Sequence, residues 1–254
     1  MRRATATKVL IGIFIVLVPA VLLTEGRQAA REVIATGVIV GFFLYIAVLR
    51  KRPRRDAMRA EARRLHLRYS TRDPFALLDE PFSLFRWTEL SSGEVENVLW
   101  GSWRHLEVRA FDYMYARSEN DERRFSCVLA AIPGGWPTLV IRPESLATRL
   151  ADHLGLPDHD FESEQFNLAY EVRCLDRRFA SAVIDARMME WLLTLGNGWG
   201  FEICERWILG YRDQVQPWEI DGVLATLAAF VERIPSAVRS LYPEAFPHRP
   251  DNPA

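Results

Sequence analysis

Lysine is almost missing from this chain: of 32 basic residues only Lys8 and Lys51 are lysines, and none follows Lys51. A P-loop, a protein kinase and a pyridoxal enzyme each need a lysine amine at a fixed place, so all three are excluded from the chain beyond that point. Cysteine is scarce as well. Cys127, Cys174 and Cys204 stand far apart without a Cys-x-x-Cys spacing, which removes zinc-ribbon and thiol-exchange chemistry and leaves small buried apolar side chains as their expected role. The five histidines include no His-Glu-x-x-His pair, and there is no Gly-x-Ser-x-Gly elbow. The run Gly196-Asn197-Gly198-Trp199-Gly200 lacks the spacing of a dinucleotide loop and reads as a turn.

A surplus of positive charge is also lacking where a nucleic-acid domain would need it. Residues 1–55 hold ten basic side chains and two acidic ones, leaving 22 basic against 31 acidic beyond Arg55. A domain with that excess of acids gains nothing from counterion release on a phosphate backbone, so no nucleic-acid partner is expected.

Long apolar runs are present, and both lie at the N-terminus. Val9 to Leu23 is uninterrupted, and Val33 to Leu49 is broken only by Thr36, Gly37 and Gly41. As helices they reach roughly 22 Å and 26 Å, so each must borrow flanking residues to cross a hydrocarbon core of about 30 Å. Arg2, Arg3 and Lys8 precede the first run, and Arg50, Lys51, Arg52, Arg54 and Arg55 follow the second. This distribution predicts a two-span hairpin with both termini cytoplasmic, its basic flanks at the membrane interface. A cleaved signal peptide is the competing reading of the first run, and Val18-Pro19-Ala20 is a poor cleavage site for it. Gly37 and Gly41, four apart, share a helix face that suits close packing, against the first span near Gly12 or in a homo-oligomer.

The expected organisation is a transmembrane hairpin over 1–55, a membrane-proximal helix and linker over 56–94, and a cytosolic domain over 95–254. Asp56 to Leu67 has helical composition, and Thr71 to Phe85 is punctuated by proline and reads as irregular with one short helix. Strand signals follow. Val95 to Trp103 and Leu106 to Ala116 form a hairpin around Arg104 and His105, and the second strand switches phase between Leu106, Val108, Ala110 and Phe111, Tyr113, Tyr115. Such a switch signals a bulge or a strand covered on both faces.

Phe125 to Ile132 is a central strand that Pro133-Gly134-Gly135 should end, and Thr138 to Arg142 a further strand. Pro143 opens a helix carrying Leu146, Leu150 and Leu154, and Leu168 to Cys174 is again a strand. Arg178 to Leu195 is helical with a break near Asp185. Phe201 to Cys204 and Trp207 to Tyr211 read as a hairpin, and Pro217 opens a helix with an apolar stripe from Ile220 to Ile234. The order of elements argues for an α+β domain with an antiparallel or mixed sheet covered by helices.

Candidate chemistry is thin. Asp152, His153, Asp158, His159, Asp160, Glu162 and Glu164 crowd one helix end and loop, and Glu162, Glu164, Glu171 and Glu190 offer carboxylates for an acid-base pair. Trp100, Trp103, Trp136, Trp191, Trp199, Trp207 and Trp218 belong to core or groove packing.

The strings Glu162-Ser163-Glu164-Gln165-Phe166-Asn167, Tyr170-Glu171-Val172, Asp176-Arg177-Arg178-Phe179-Ala180 and Arg187-Met188-Met189-Glu190-Trp191-Leu192-Leu193, with Phe111-Asp112-Tyr113 before them, carry a family pattern. Over residues 95–235 the chain resembles an uncharacterised family of bacterial proteins with two N-terminal membrane spans and a cytosolic domain of unknown function. The resemblance implies a bacterial inner-membrane location and no established site. Asn167, Asp176 and Arg187 within it are expected to be turn or capping residues. The first functional reading is a membrane-anchored cytosolic module that binds a protein partner or senses a ligand, with no cofactor. The alternatives are a hydrolase-type enzyme with an acidic and histidine site near 152–164, and a lipid- or peptide-binding domain with an aromatic groove.

Overall fold

In the computed structural model the described residues are 53–86, 93–116, 122–144, 155–196 and 198–243. Both apolar runs, Gly37 and Gly41, and the basic residues Arg2, Arg3, Lys8, Arg50, Lys51 and Arg52 lie outside them. Among the described residues no helix is long and apolar enough to cross a membrane. The chain divides into two units, Met1–Asp56 and Ala57–Ala254, and the second is described below.

Helix α1 covers residues 53–64 and carries Arg54 and Arg55 on its first described turn. It buries Met58 and Ala62, and Arg64 on its other side joins Glu61 at 2.6 Å and Asp221 at 3.1 Å. Strand β1 (Arg68–Arg72) follows, then a 3-10 turn (Leu77–Asp79) and the short helix α2 (Ser83–Arg86). The long strands are β2 (Glu94–Trp103), β3 (Leu106–Ala116) and β4 (Glu122–Pro143). Then come α3 (Glu164–Ala169), β5 (Tyr170–Cys174), α4 (Arg177–Val183), α5 (Ala186–Leu195) and β6 (Trp199–Asp213). A 3-10 turn (Pro217–Glu219), α6 (Ile220–Arg233) and α7 (Ser236–Leu241) close the described chain.

The six described strands form one sheet, antiparallel throughout, in the order β1-β2-β3-β4-β5, with β6 paired to β4. β4 is the spine. Its first half lies between β3 and β6, and its second half between β5 and β6. The domain is thus α+β with an antiparallel sheet, as the order of elements implied.

Both faces of the sheet are buried, and this explains the phase switch in β3. Leu106, Val108 and Ala110 join Val128, Ala130, Ile141, Phe201 and Ile208 under helices α1 and α3 to α7. Phe111, Tyr113 and Tyr115 instead join Phe125, Cys127, Leu129, Leu209 and Tyr211 on the opposite, aromatic face, covered by Leu77, Phe82, Leu84 and Phe85. No bulge interrupts β3 against β4; the bulge is in β2, where Asn97 takes φ 56° between the pairs Glu96/Asp112 and Leu99/Ala110. It brings Asn97 Nδ2 to 2.8 Å from Asp112 Oδ2, and Tyr69 donates to Asn97 Oδ1 at 2.9 Å.

Four sequence expectations are corrected. The described part of 56–94 is no linker, since β1 is a strand of the sheet and Leu77, Phe82, Leu84 and Phe85 belong to its core. Pro133-Gly134-Gly135 does not end a strand: pairing with β6 skips from Ala131 to Trp136 and continues, so the missing proline N–H and the free glycine backbone make a bulge. Glu205 with φ 53° absorbs the same irregularity in β6, which is one strand and not a hairpin. Leu168 and Ala169 finish helix α3, with Leu168 73% exposed, because Ser163 caps that helix at the N–H of Phe166. The break near Asp185 is real: Asp185 caps α5 by accepting from Met188 N–H. The leucine-bearing segment from 145 to 154 lies outside the described residues.

Candidate binding cavity

The acidic and histidine cluster does not assemble a site in its described part. Asp158 pairs as a bridge with Arg173, and the backbone N–H of His159 donates to Val172 while its Nε2 lies 2.7 Å from the Cys174 carbonyl. These contacts extend the edge of β5. Glu162 and Glu164 are exposed, and Asp152 and His153 lie outside the described residues. Among the described residues no group of three His, Cys, Asp or Glu side chains could hold a metal.

The other candidates have structural work. Glu171 receives Arg142 Nε and, at 2.7 Å, Arg173 Nε. Burial pushes its carboxyl up, but those hydrogen bonds and the two guanidinium charges outweigh burial and hold it below the ordinary range. Glu190 and Arg187 are exposed. All three cysteines are free and buried, and burial pushes each thiol up, away from reactive thiolate. Asn167 clamps its loop by exchanging hydrogen bonds with the backbone of Phe161. Asp176 caps α4 and accepts from Tyr242 at 2.7 Å. Of the tryptophans, Trp103, Trp136, Trp199 and Trp207 are core, whereas Trp218 is 68% exposed.

What the strands do build is a cavity of about 470 Å³ on the aromatic face, where β1, β2 and β3 end. The register sets its floor. Arg68 lies opposite Trp100, Trp100 opposite Arg109, and Ser102 opposite Glu107, and side chains of directly opposed residues share a face. His66 closes one side in the left-handed conformation, φ 57°, just past α1. Gly101 suits this place because φ 148° is a conformation that residues with a side chain rarely adopt, and an added Cβ would press on the Leu67 side chain at 3.2 Å.

Phe75 forms the wall from above. Asp73 accepts from the N–H groups of Phe75 and Leu77 and so folds the loop back over the sheet. The Phe75 ring meets Trp100 edge-on at 5.4 Å. Arg109, 4% exposed, is held between rings, its guanidinium 4.0 Å from the Phe75 centroid and 4.4 Å from that of Trp207. The indole N–H groups of Trp100 and Trp207 are buried without a hydrogen-bond partner. Sequence reasoning missed Arg109, although its phase with Phe111, Tyr113 and Tyr115 already placed it on a buried face.

No protein-family model matches the sequence, and no curated protein is similar to it in sequence. The fold is similar to that in the crystal structure of the mycobacterial trehalose monomycolate transport factor A, TtfA, with a TM-score of 0.53 and 15% identity over 78% of this chain and 99% of that one. At that identity the likeness is one of fold.

Proposed function

We propose that this protein is a membrane-anchored cytosolic binding module whose ligand is a lipid-like small molecule. The carrying observation is the cavity on the aromatic face: its volume of about 470 Å³ lies in the usual range for small-molecule sites, about 300 to 1,000 Å³, and it sets the apolar rings of Phe75 and Trp100 beside the polar and charged groups of His66, Arg68, Ser102, Glu107 and Arg109. The fold shared with a transport factor for trehalose monomycolate, a lipid-related molecule, supports the same reading. So does the sequence. Two apolar N-terminal runs with basic flanks would hold the domain at the inner face of a membrane, where lipid-like ligands are concentrated. A protein partner that receives or delivers the ligand fits this placement.

The test is purification of the full chain from native membranes in mild detergent, followed by native mass spectrometry. A stoichiometric amphiphile supports the reading, and a chain that carries none overturns it. Placement is tested separately with C-terminal reporter fusions, which should be active with a cytosolic reporter and silent with one that requires export. The opposite result would put the domain outside the cell.

A further inference from the structure

The basic side chains are not spread evenly over this protein. Residues 50–72 hold ten basic and two acidic side chains, and beyond Arg72 there are 17 basic against 29 acidic. The fold gathers the described part of the first group on one rim. Arg59 and Arg63, one turn apart, share a face of α1, and Arg68 and Arg72 share a face of β1. Arg59 reaches from the helix to the strand, its guanidinium 5.4 Å from the Tyr69 ring centroid. All four arginines are exposed, and β1 begins the strand order, pairing among the described residues with β2 alone.

Of the acids nearby, Glu61 is held by Arg64 at 2.6 Å, and Asp73 accepts from the N–H groups of Phe75 and Leu77. Asp56 on α1 and Glu96 opposite Arg72 offset part of the charge. Charged side chains on an edge strand keep it from pairing with other strands, but either sign would serve. That role does not call for the same sign on the helix alongside. The uniform sign suits an anionic partner, and the acidic excess over the rest of the domain disfavours one that wraps around it, as a nucleic acid would. A flat anionic surface meets the rim alone.

We propose that this arginine rim docks on the anionic phospholipid headgroups of the membrane and turns the acidic remainder of the domain away from them. The rim follows Arg50, Lys51 and Arg52 closely in sequence. On the membrane-anchored reading, on which this rests, the chain itself therefore holds the rim close to the headgroups. Each arginine near an anionic surface strengthens the contact about fivefold, an effect that salt screens. Arg68 also lines the cavity, so docking brings the cavity next to the lipid surface.

Arginine footprinting tests this on the full chain. The protein is reconstituted in nanodiscs of phosphatidylcholine alone and of an equal mixture with phosphatidylglycerol, treated with phenylglyoxal, and read by peptide mass spectrometry. Arg63, Arg68 and Arg72 should react at least about fivefold more slowly in the anionic discs, and salt at about 0.5 M should abolish the difference. Exposed Arg178 and Arg187, on α4 and α5, should react equally in both.

Equal rates for the rim arginines in a chain that stays with both discs overturn the proposal and leave the anchoring reading standing. Equal slowing of Arg178 and Arg187 would mean that no one face docks, and overturns it too. Protection found in native membrane vesicles but in neither nanodisc would give the rim to an acidic protein partner in place of lipid. A chain that leaves both kinds of nanodisc overturns the anchoring reading, and the proposal with it.

Discussion

Ser83 donates twice to Glu202 across 119 residues of chain, from its N–H to Oε2 and from its hydroxyl to Oε1, both at 2.6 Å. Leu84 N–H adds a third bond at 3.1 Å. One fully buried carboxylate on β6 thereby fastens helix α2, and with it the cover that holds Phe82, Leu84 and Phe85 against the aromatic face.

Burial pushes the Glu202 carboxyl up, against the pull of the Ser83 and Leu84 hydrogen bonds and the Arg142 charge. With the folded-state value raised, the stability it contributes is whole below its unfolded titration and is lost as pH rises through the folded one. Urea unfolding should therefore show Glu202→Gln gaining on the unmodified chain as pH rises from the ordinary carboxylate range. Glu202→Ala should lose about 2 to 4 kcal/mol in the ordinary carboxylate range, because the buried N–H groups of Ser83 and Leu84 are left without acceptors, and the loss should shrink as pH rises and the unmodified chain gives up the Glu202 contribution.

Glu171 runs the other way. Held down by Arg142 and Arg173, its contribution is present above its unfolded titration and is lost as pH falls through the folded one. Arg142→Met removes one of the two guanidinium partners of this buried carboxylate and leaves Arg173, so it should cost about 1.5 to 3 kcal/mol near neutral pH. The loss should shrink in acid, where Glu171 is protonated in both proteins.

Gly200 lies against Tyr211 so closely that an added Cβ would sit 2.2 Å from the ring carbon Cζ. Tyr211 is 1% exposed and has nowhere to retreat, so Gly200→Ala should destabilise by about 1 to 3 kcal/mol. Tyr211→Leu in the same chain should recover part of that loss. A purely additive double variant would contradict the contact.

Leu129, fully buried in the middle of β4 between β3 and β6, should cost about 2 to 5 kcal/mol as Leu129→Ala. A loss below about half a kcal/mol would contradict its place at the centre of the sheet.

Element types were legible wherever one periodicity ran uninterrupted, as in the stripe from Ile220 to Ile234 or the Asp185 break between α4 and α5. They were misjudged where a strand bends. Pro133-Gly134-Gly135 and Glu205-Arg206 carry turn chemistry, yet here that chemistry makes paired bulges in two long strands, because the partner strand continues past each one. The cavity was not legible as a site. Its parts come from three strands, through Arg68, Trp100 and Arg109, and from the two loops that flank β1, through His66 and Phe75, and only the register assembles them. Glu202 was equally hidden, since its partners are 118 and 119 residues away.

Occupancy of the cavity in the full chain tests a binding role most directly. Ser102, exposed on the cavity floor, can carry a tryptophan that fills the space without disturbing the β2–β3 register. Native mass spectrometry of the chain from its own membranes should then show a stoichiometric small-molecule adduct on the unmodified protein and its loss in Ser102→Trp, with Trp218→Phe unaffected. An adduct that persists undiminished in Ser102→Trp would place the ligand elsewhere and contradict the assignment.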